Sequence, residues 1–251
     1  MVVPVFGNAA TLAPLLDRVQ AAFADAGRSA EVIFVDDGSP DDSWVEIERL
    51  AQQGDRVRGL RLAANQGQGV AVSTAFERAR GSVLATIDAD LDSFPEDLLA
   101  LVEAAEEHGF AMGVRAGHRP AARALASRVF NARIRSLGYR FHDIGSGSLA
   151  VRAELGTQLA GLGDERRTIR YKLALYRLAG GVVERPTRSV LTRGSHYRWR
   201  DLAAIWAEVE VEVVGARTGE VVRSLLRLPR PTSPDPEVVG DTAVAVDPGA
   251  R

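Results

Sequence analysis

Apolar residues in this chain fall into short runs separated by longer amphipathic stretches, and the two alternate from the first residues onward. Residues 2–6 read as a strand and a helix follows over about 11–26. A second strand at 31–35 leaves into the turn Asp36-Asp37-Gly38-Ser39-Pro40. Asp42 or Ser43 then caps a helix containing Trp44, Val45, Ile47 and Leu50. A third strand at 57–62 is closed by Asn65-Gln66-Gly67-Gln68-Gly69, and a helix at 70–80 leads to the apolar run Ser82-Val83-Leu84-Ala85-Thr86-Ile87. In that helix Val70, Ala71, Thr74, Ala75 and Ala79 share a face for the sheet, which leaves Glu77, Arg78 and Arg80 for water. Strand and helix alternating through short turns predict an α/β domain on a Rossmann-like, mostly parallel, doubly wound sheet flanked by helices.

The second half follows a looser pattern. A helix at 98–107 and a strand at 110–114 lead into an arginine-rich segment that is helical in its middle. The loop His142-Asp143-Ile144-Gly145-Ser146-Gly147-Ser148 precedes a strand at 149–152, a helix at 167–179 and a strand at 181–192. Arg193-Gly194-Ser195-His196-Tyr197 closes that strand. Residues 202–228 are largely helical by periodicity, and the proline-bearing, aperiodic stretch beyond Pro229 is expected to be disordered. The expected organisation is a domain over residues 1–200, a C-terminal helical segment over 201–228 and a tail over 229–251.

Composition narrows the function. The 251 residues are 46% hydrophobic with a net charge of −2, and no cysteine is present, which rules out disulfides and cysteine-ligated zinc. No apolar stretch approaches the roughly 20 residues of a membrane span, and the chain opens directly in a strand, so a soluble, cytoplasmic protein without a secretory signal is expected. Balanced charge and the lack of a recognition motif argue against nucleic acid as a partner. Lys172 is the only lysine among the basic residues. From Arg115 to Arg140 seven arginines occur with no acidic residue, a local cationic patch suited to phosphates or an anionic surface.

The chemistry concentrates at Asp88-Ala89-Asp90. Two carboxylates at the carboxyl end of a buried strand stand where ligands bind in open α/β sheets, and carboxylate plus substrate phosphate is the usual way to hold Mg²⁺ or Mn²⁺. Taken alone, the pair leaves a metal site and a helix-entry turn both open, with Asp92 or Ser93 as the cap before Pro95. A second acidic turn, Asp36-Asp37, lies on an alternate unit of the same sheet and opens at the same edge. Two acidic turns at one edge suit a nucleotide diphosphate, one for base or ribose hydroxyls and one for metal and pyrophosphate.

Val3-Pro4-Val5-Phe6, Val35-Asp36-Asp37-Gly38-Ser39-Pro40, Asn65-Gln66-Gly67-Gln68 and Asp88-Ala89-Asp90-Leu91 occur in the order seen in family 2 glycosyltransferases of GT-A fold. The chain resembles most the branch of dolichol-phosphate mannose synthase and bacterial polyprenyl-phosphate glycosyltransferases. Gly113-Val114-Arg115, Arg128-Val129-Phe130-Asn131, Asp143-Ile144-Gly145-Ser146-Gly147 and Arg193-Gly194-Ser195-His196-Tyr197 carry the likeness further, to about Tyr197. The resemblance implies that Pro4 and Phe6 line the base pocket, with Asp36 and Asp37 at base and ribose. It adds Gln68 and Ala89 to the donor site and assigns Asp88, Asp90 and Asp92 to the metal. Arg115 and Arg128 match positions that hold donor or acceptor phosphates, Asp143 is a further catalytic candidate, and Arg193, Ser195 and His196 belong to a stretch that closes over the site. The chain departs from relatives at Gly7-Asn8, where Asn-Glu is usual, and at His196, where a lysine is usual, and the C-terminal transmembrane helices that many bacterial relatives carry are not expected here.

The activity so implied is inverting, metal-dependent transfer of a sugar from a nucleotide-diphosphate sugar to a polyprenyl phosphate. A lipid phosphate is already ionised and requires no strong base, whereas an alcohol acceptor requires one, with Asp143 or His142 as the candidate. The same donor chemistry on a soluble small-molecule acceptor is the alternative, and a nucleotide-sugar-binding protein without catalysis is the alternative of another class. The arginine patch suits peripheral contact with the inner face of a membrane. Glu208, Glu210, Glu212 and Glu220 instead direct the 202–228 segment onto the domain or a second subunit in a homo-oligomer.

Overall fold

The computed structural model describes residues 1–116, 121–162, 169–190 and 237–242. Eight strands form one sheet in the order β7-β5-β6-β4-β1-β2-β3-β8. Strands β1 (Val2–Val5), β2 (Val32–Asp36), β3 (Val57–Leu62) and β4 (Val83–Thr86) are parallel neighbours in the order 3-2-1-4. Helices α1 (Ala9–Asp25), α2 (Ser43–Ala51) and α3 (Gln68–Phe76) connect them. A short 3₁₀ turn, Pro95–Asp97, opens α4 (Leu98–His108), which returns to β5 (Phe110–Ala116). Helix α5 (Ala121–Ser136) and the 142–148 loop then lead to β6 (Leu149–Arg152), antiparallel to both β4 and β5. Helices α6 (Ala153–Ala160) and α7 (Arg170–Ala179) precede β7 (Val183–Arg188), which runs parallel to β5. The expected mostly parallel sheet flanked by helices is thus observed.

Side-chain alternation divides the interior into two cores. Val2, Ile33, Val35, Leu84, Phe110, Met112, Leu149 and Val151 face one way, toward α3, Ile134 of α5, and α7. Val3, Val5, Phe34, Ala85, Ala111 and Ala150 face the other way, toward α1, α2 and α4. Covering both faces explains why these strands read as continuous apolar runs.

Several elements differ from the sequence expectation. Helix α3 ends at Phe76 rather than near residue 80, and its residues 69–76 are all buried, so it has no solvent face. The reason is α6, which the periodicity did not reveal: its Gly156 lets Phe76 and Leu84 approach so closely that a Cβ would lie 2.5 Å from Leu84. The helix entry at Pro95 is capped by the extended Phe94, not by Asp92 or Ser93. The stretch beyond Pro229 is not structureless throughout, because Val238–Asp241 forms β8, antiparallel to β3 at the sheet edge. Arg58 pairs with Asp241 at 3.3 Å, and the Gly59 N–H donates to Thr242 Oγ1 at 2.8 Å. Gly240 lies flat on Trp44. A four-residue edge strand is too short for periodicity to detect. The 202–228 segment lies outside the described residues.

An added Cβ at Gly240 would meet the Trp44 ring at 2.8 Å. Gly240→Val is therefore expected to undock β8 and lower stability by about 1–3 kcal/mol. Urea unfolding, together with a red shift in Trp44 fluorescence, checks this.

Candidate active site

Strand direction alone gathers the site. β1, β2 and β4 end at one edge of the sheet, and β5 and β7 end there too. The loop before the antiparallel β6 begins there, since Leu149 pairs with Thr86. The order 3-2-1-4 places the topological switch point between β1 and β4, the position at which open α/β sheets form a crevice for ligands.

On one side of this crevice three turns interlock. Asp37, 4% exposed, accepts the Gln66 N–H at 2.7 Å on Oδ1 and the Gly67 N–H at 2.8 Å on Oδ2. It thereby shapes the turn that delivers Gln68. Gly38 adopts φ +69°, and a Cβ there would strike the Asn65 backbone nitrogen at 2.8 Å, so the close approach of β2 and β3 loops requires glycine. Asp36, wholly buried, accepts the Ser39 N–H and lies 3.3 Å from Arg61 Nε, whose guanidinium also stacks on Trp44. The Gly7 and Asn8 N–H groups donate to Ser39 Oγ and Ser43 Oγ, tying the β1 turn to the β2 turn. Pro4 lies in β1, and Phe6, half exposed, follows directly after that strand.

On the other side stand Asp88, Ala89 and Asp90. Gln68 Nε2 donates to Asp88 Oδ1 at 2.7 Å, and Thr11 of α1 donates to the Ala89 carbonyl at 2.5 Å. Asp90 accepts the Asp92 N–H at 2.9 Å. Between these two residues Leu91 adopts φ +64°, the one non-glycine positive φ among the described residues, and such strain tends to persist at functional sites. Burial, followed by the charges of Asp88 and Asp92, raises Asp90 above the usual carboxylate range.

Among the described residues no three His, Cys, Asp or Glu side chains form a metal cage. Mg²⁺ or Mn²⁺ does not need one, being held by one or two carboxylates plus substrate phosphates. Hard oxygen donors crowded by like charge fit such a cation.

The 142–148 loop closes against this pair. Gly147 packs so tightly on Asp88 that an added Cβ would overlap the carboxylate, and its carbonyl accepts from Thr86 Oγ1 at 2.7 Å. Asp143, 4% exposed, grips Arg115 through Nε at 2.8 Å and Nη2 at 2.9 Å, and also accepts the Arg115 backbone N–H at 3.2 Å. This is a bidentate clamp that aims a guanidinium at the edge carrying Asp88 and Asp90. The His142 ring is exposed and turned onto Glu184 of β7.

Asp36, Asp37, Gln68, Asp88, Ala89, Asp90, Asp92, Arg115 and Asp143 are thus brought to one edge. Arg128 is exposed on α5, and Asn131 one turn further on is buried, with its Oδ1 accepting the Ile144 N–H. Arg193, Ser195 and His196 lie outside the described residues. Just before them in the chain, the Val190 N–H donates to the Asp92 carbonyl at 2.9 Å, beside the acidic turn. Sequence reasoning did not identify Lys172, buried on α7 and bonded to the loop carbonyls of Ile144 and Ser146, or Thr11, although Lys172 had a signal in being the only lysine.

Burial raises Asp37 to about 6, against the opposing pull of the Gln66 and Gly67 N–H groups, and the neighbouring Asp36 raises it further. A carboxyl raised in the fold contributes stability that is complete below its unfolded value near 4 and is lost as pH rises through about 6. The Tm of the wild type relative to Asp37→Asn is therefore expected to fall between pH 4 and 7. Melts of both proteins across that range check it.

The family model described as Glycosyl transferase family 2 matches residues 1–148, from β1 to the last residue before β6. The chain is 38% identical over 149 residues to an undecaprenyl-phosphate 4-deoxy-4-formamido-L-arabinose transferase of Pseudomonas aeruginosa (strain LESB58), covering 58% of this chain and 44% of that protein. The namesake of Shewanella sediminis is 38% identical over 149 residues, with 58% and 45% covered. The chain therefore spans less than half the length of these curated relatives. Crystal structures of Mycobacterium tuberculosis glucosyl-3-phosphoglycerate synthase share the architecture. The complex with Mn²⁺, UDP and glucosyl-3-phosphoglycerate has a TM-score of 0.63 at 18% identity, covering 87% of this chain and 78% of that one. The complex with Mn²⁺ and UDP-glucose has a TM-score of 0.62 at 19% identity, covering 87% and 78%. With its matched residues building the strand-end turns and the loop that closes on Asp88, and with its GT-A architecture, this chain belongs to glycosyl transferase family 2.

Proposed function

We propose that this chain is an inverting, divalent-metal-dependent glycosyltransferase that moves a sugar from a nucleotide-diphosphate sugar to a polyprenyl phosphate. One observation carries the reading: Asp88 and Asp90 share a strand-end edge with the Asp143-clamped Arg115, so paired carboxylates and an oriented guanidinium face one crevice. Phe6 and the Asp36–Asp37 turn suit a base and ribose at its far side. Asp88 and Asp90, with Asp92 beside them, would hold Mg²⁺ or Mn²⁺ on the donor pyrophosphate. The cation, when bound, supplies charge stabilisation for the departing nucleotide. Arg115, held rigid by Asp143, adds a fixed positive charge where negative charge builds as the anomeric bond breaks. Gln68 orients Asp88, and Thr11 fixes the backbone at Ala89.

The acceptor assignment draws on the two candidate bases. Asp143 is committed to Arg115, and His142 is turned onto Glu184, so neither side chain is posed as an open base. This favours an acceptor that is ionised before it arrives, as a lipid phosphate is, over a neutral hydroxyl. Helix α5 supports delivery from a membrane surface. It exposes Leu125 and Val129 at helical spacing, with Arg128 and Arg135 exposed on the same helix and Arg140 just beyond it. Apolar residues among arginines suit an anionic leaflet. Among the described residues no helix is long and apolar enough to cross a membrane, so contact here would be peripheral. Arg128 is proposed to meet the acceptor phosphate, and Arg193, Ser195 and His196 to complete the donor site.

The test is a panel of nucleotide-diphosphate sugars with Mn²⁺, offered with and without undecaprenyl phosphate, and product identified by mass spectrometry. Transfer that requires the lipid phosphate is expected. Transfer only to soluble hydroxyl compounds would replace the acceptor assignment, and tight nucleotide binding without any turnover would replace the enzyme reading. Asp88→Asn and Asp90→Asn are each expected to weaken Mn²⁺-dependent nucleotide binding at least tenfold by calorimetry. Because it removes a partly buried like charge, Asp90→Asn should also leave the metal-free Tm unchanged or higher.

A further inference from the structure

Lys172 is the only lysine in a chain that otherwise meets every need for a basic side chain with arginine. It lies in the first turn of α7, is 2% exposed, and its Nζ donates to the Ile144 carbonyl at 3.0 Å and to the Ser146 carbonyl at 2.6 Å. The Tyr171 ring centroid is 5.4 Å away. Burying an ammonium costs several kcal/mol unless it is well bonded. Burial lowers this one to about 8, Asp88 and Asp143 oppose that shift, and Arg115 adds to it.

The two carbonyls belong to the same 142–148 loop that packs Gly147 on Asp88 and sets Asp143 on Arg115. Other ties of that loop come from other elements: Asn131 to the Ile144 N–H, Thr86 to the Gly147 carbonyl, the Gly113 N–H to the Ser148 carbonyl, and Glu184 to the His142 and Asp143 N–H groups. Lys172 brings a donor from α7 to the Ile144 and Ser146 carbonyls, and both of these residues are buried, so loss of the ammonium removes that donor where water does not readily replace it. A compact ammonium on a four-carbon stem can meet two converging carbonyls, whereas the planar fork of arginine is shaped for carboxylates and phosphates.

We propose that Lys172 is a positioning residue of the transfer site: its ammonium ties the Ile144 and Ser146 carbonyls and so holds Gly147 against Asp88 and Asp143 on Arg115. The tether stands on its own geometry, and its service to transfer rests on the function proposed above. A residue that merely filled the core would lower stability when replaced, without altering the loop and the metal-dependent affinity together.

The experiment compares the full-length wild type with Lys172→Met, which keeps the length but has no donor, and Lys172→Gln, whose amide retains two N–H donors. Hydrogen exchange is read at residues 144–148. Affinity is read for UDP with and without Mn²⁺, or for whichever nucleoside diphosphate most stabilises the wild type. In Lys172→Met, exchange across the loop is expected to rise at least tenfold and the Mn²⁺-dependent affinity to fall about tenfold, while metal-free nucleotide affinity stays within twofold. Lys172→Gln should recover part of both losses. Unchanged loop exchange in Lys172→Met would overturn the proposal, as would an opened loop with undiminished Mn²⁺-dependent affinity. Should Lys172→Met fail to fold, Lys172→Gln decides by the same two readouts, a joint change supporting the tether and no change in either overturning it. If the wild type binds no nucleoside diphosphate with Mn²⁺, the transferase reading fails, and loop exchange alone still decides whether Lys172 holds the loop.

Discussion

Carboxylates gathered at one edge of a buried sheet repel each other and resist leaving water, and each one here is reconciled with that constraint differently. Asp36 has Arg61 beside it, Asp37 has two backbone N–H donors, and Asp143 has a bidentate guanidinium. Asp88 receives a neutral amide, and Asp90 receives a backbone N–H amid like charges. The first three are compensated by the protein itself. Among the described residues the last two have no direct ion-pair contact of their own, only the nearby charge of Arg115 and, for Asp88, of Lys172, and this crowding is what a divalent cation with a diphosphate relieves.

That division explains the layout of the surrounding loops. The compensated carboxylates act as organisers: Asp37 shapes the turn that carries Gln68, and Asp143 aims Arg115. The Asp88–Asp90 pair needs a rigid frame, because like charges would otherwise spread the turn. Thr11 from below, Gln68 from one side and Gly147 from the other supply it. The strained Leu91 backbone lies where this frame forces the chain to turn between Asp90 and Asp92. Buried polar networks of this kind depend on every member being satisfied, and Lys172 beneath the loop belongs to that network.

Much of the fold was legible from one-dimensional pattern. The strand at 57–62 and the strand at 149–152 have the limits that periodicity indicated, and the acidic turns at 36–37 and 88–90 were correctly expected to share an edge. The missed elements have physical reasons. Helix α6 and strand β8 are short, and each is held by glycine-mediated contact with distant residues, Gly156 with Phe76 and Gly240 with Trp44. The full burial of α3 was missed for the same reason, since one amphipathic face was visible but not the helix that covers the other.

What the sequence determined by itself is therefore the set of strand-end turns and their common edge, because both follow from local hydrophobic period and from parallel connection. What only the tertiary structure decided is which charges are satisfied. Arg115 meets Asp143 across 28 residues, His142 turns to Glu184, and Lys172 rises from α7 to a loop 26 residues earlier. Such pairings depend on antiparallel β6 folding back between β4 and β5, and no local pattern encodes the partner of a charge that lies far away along the chain.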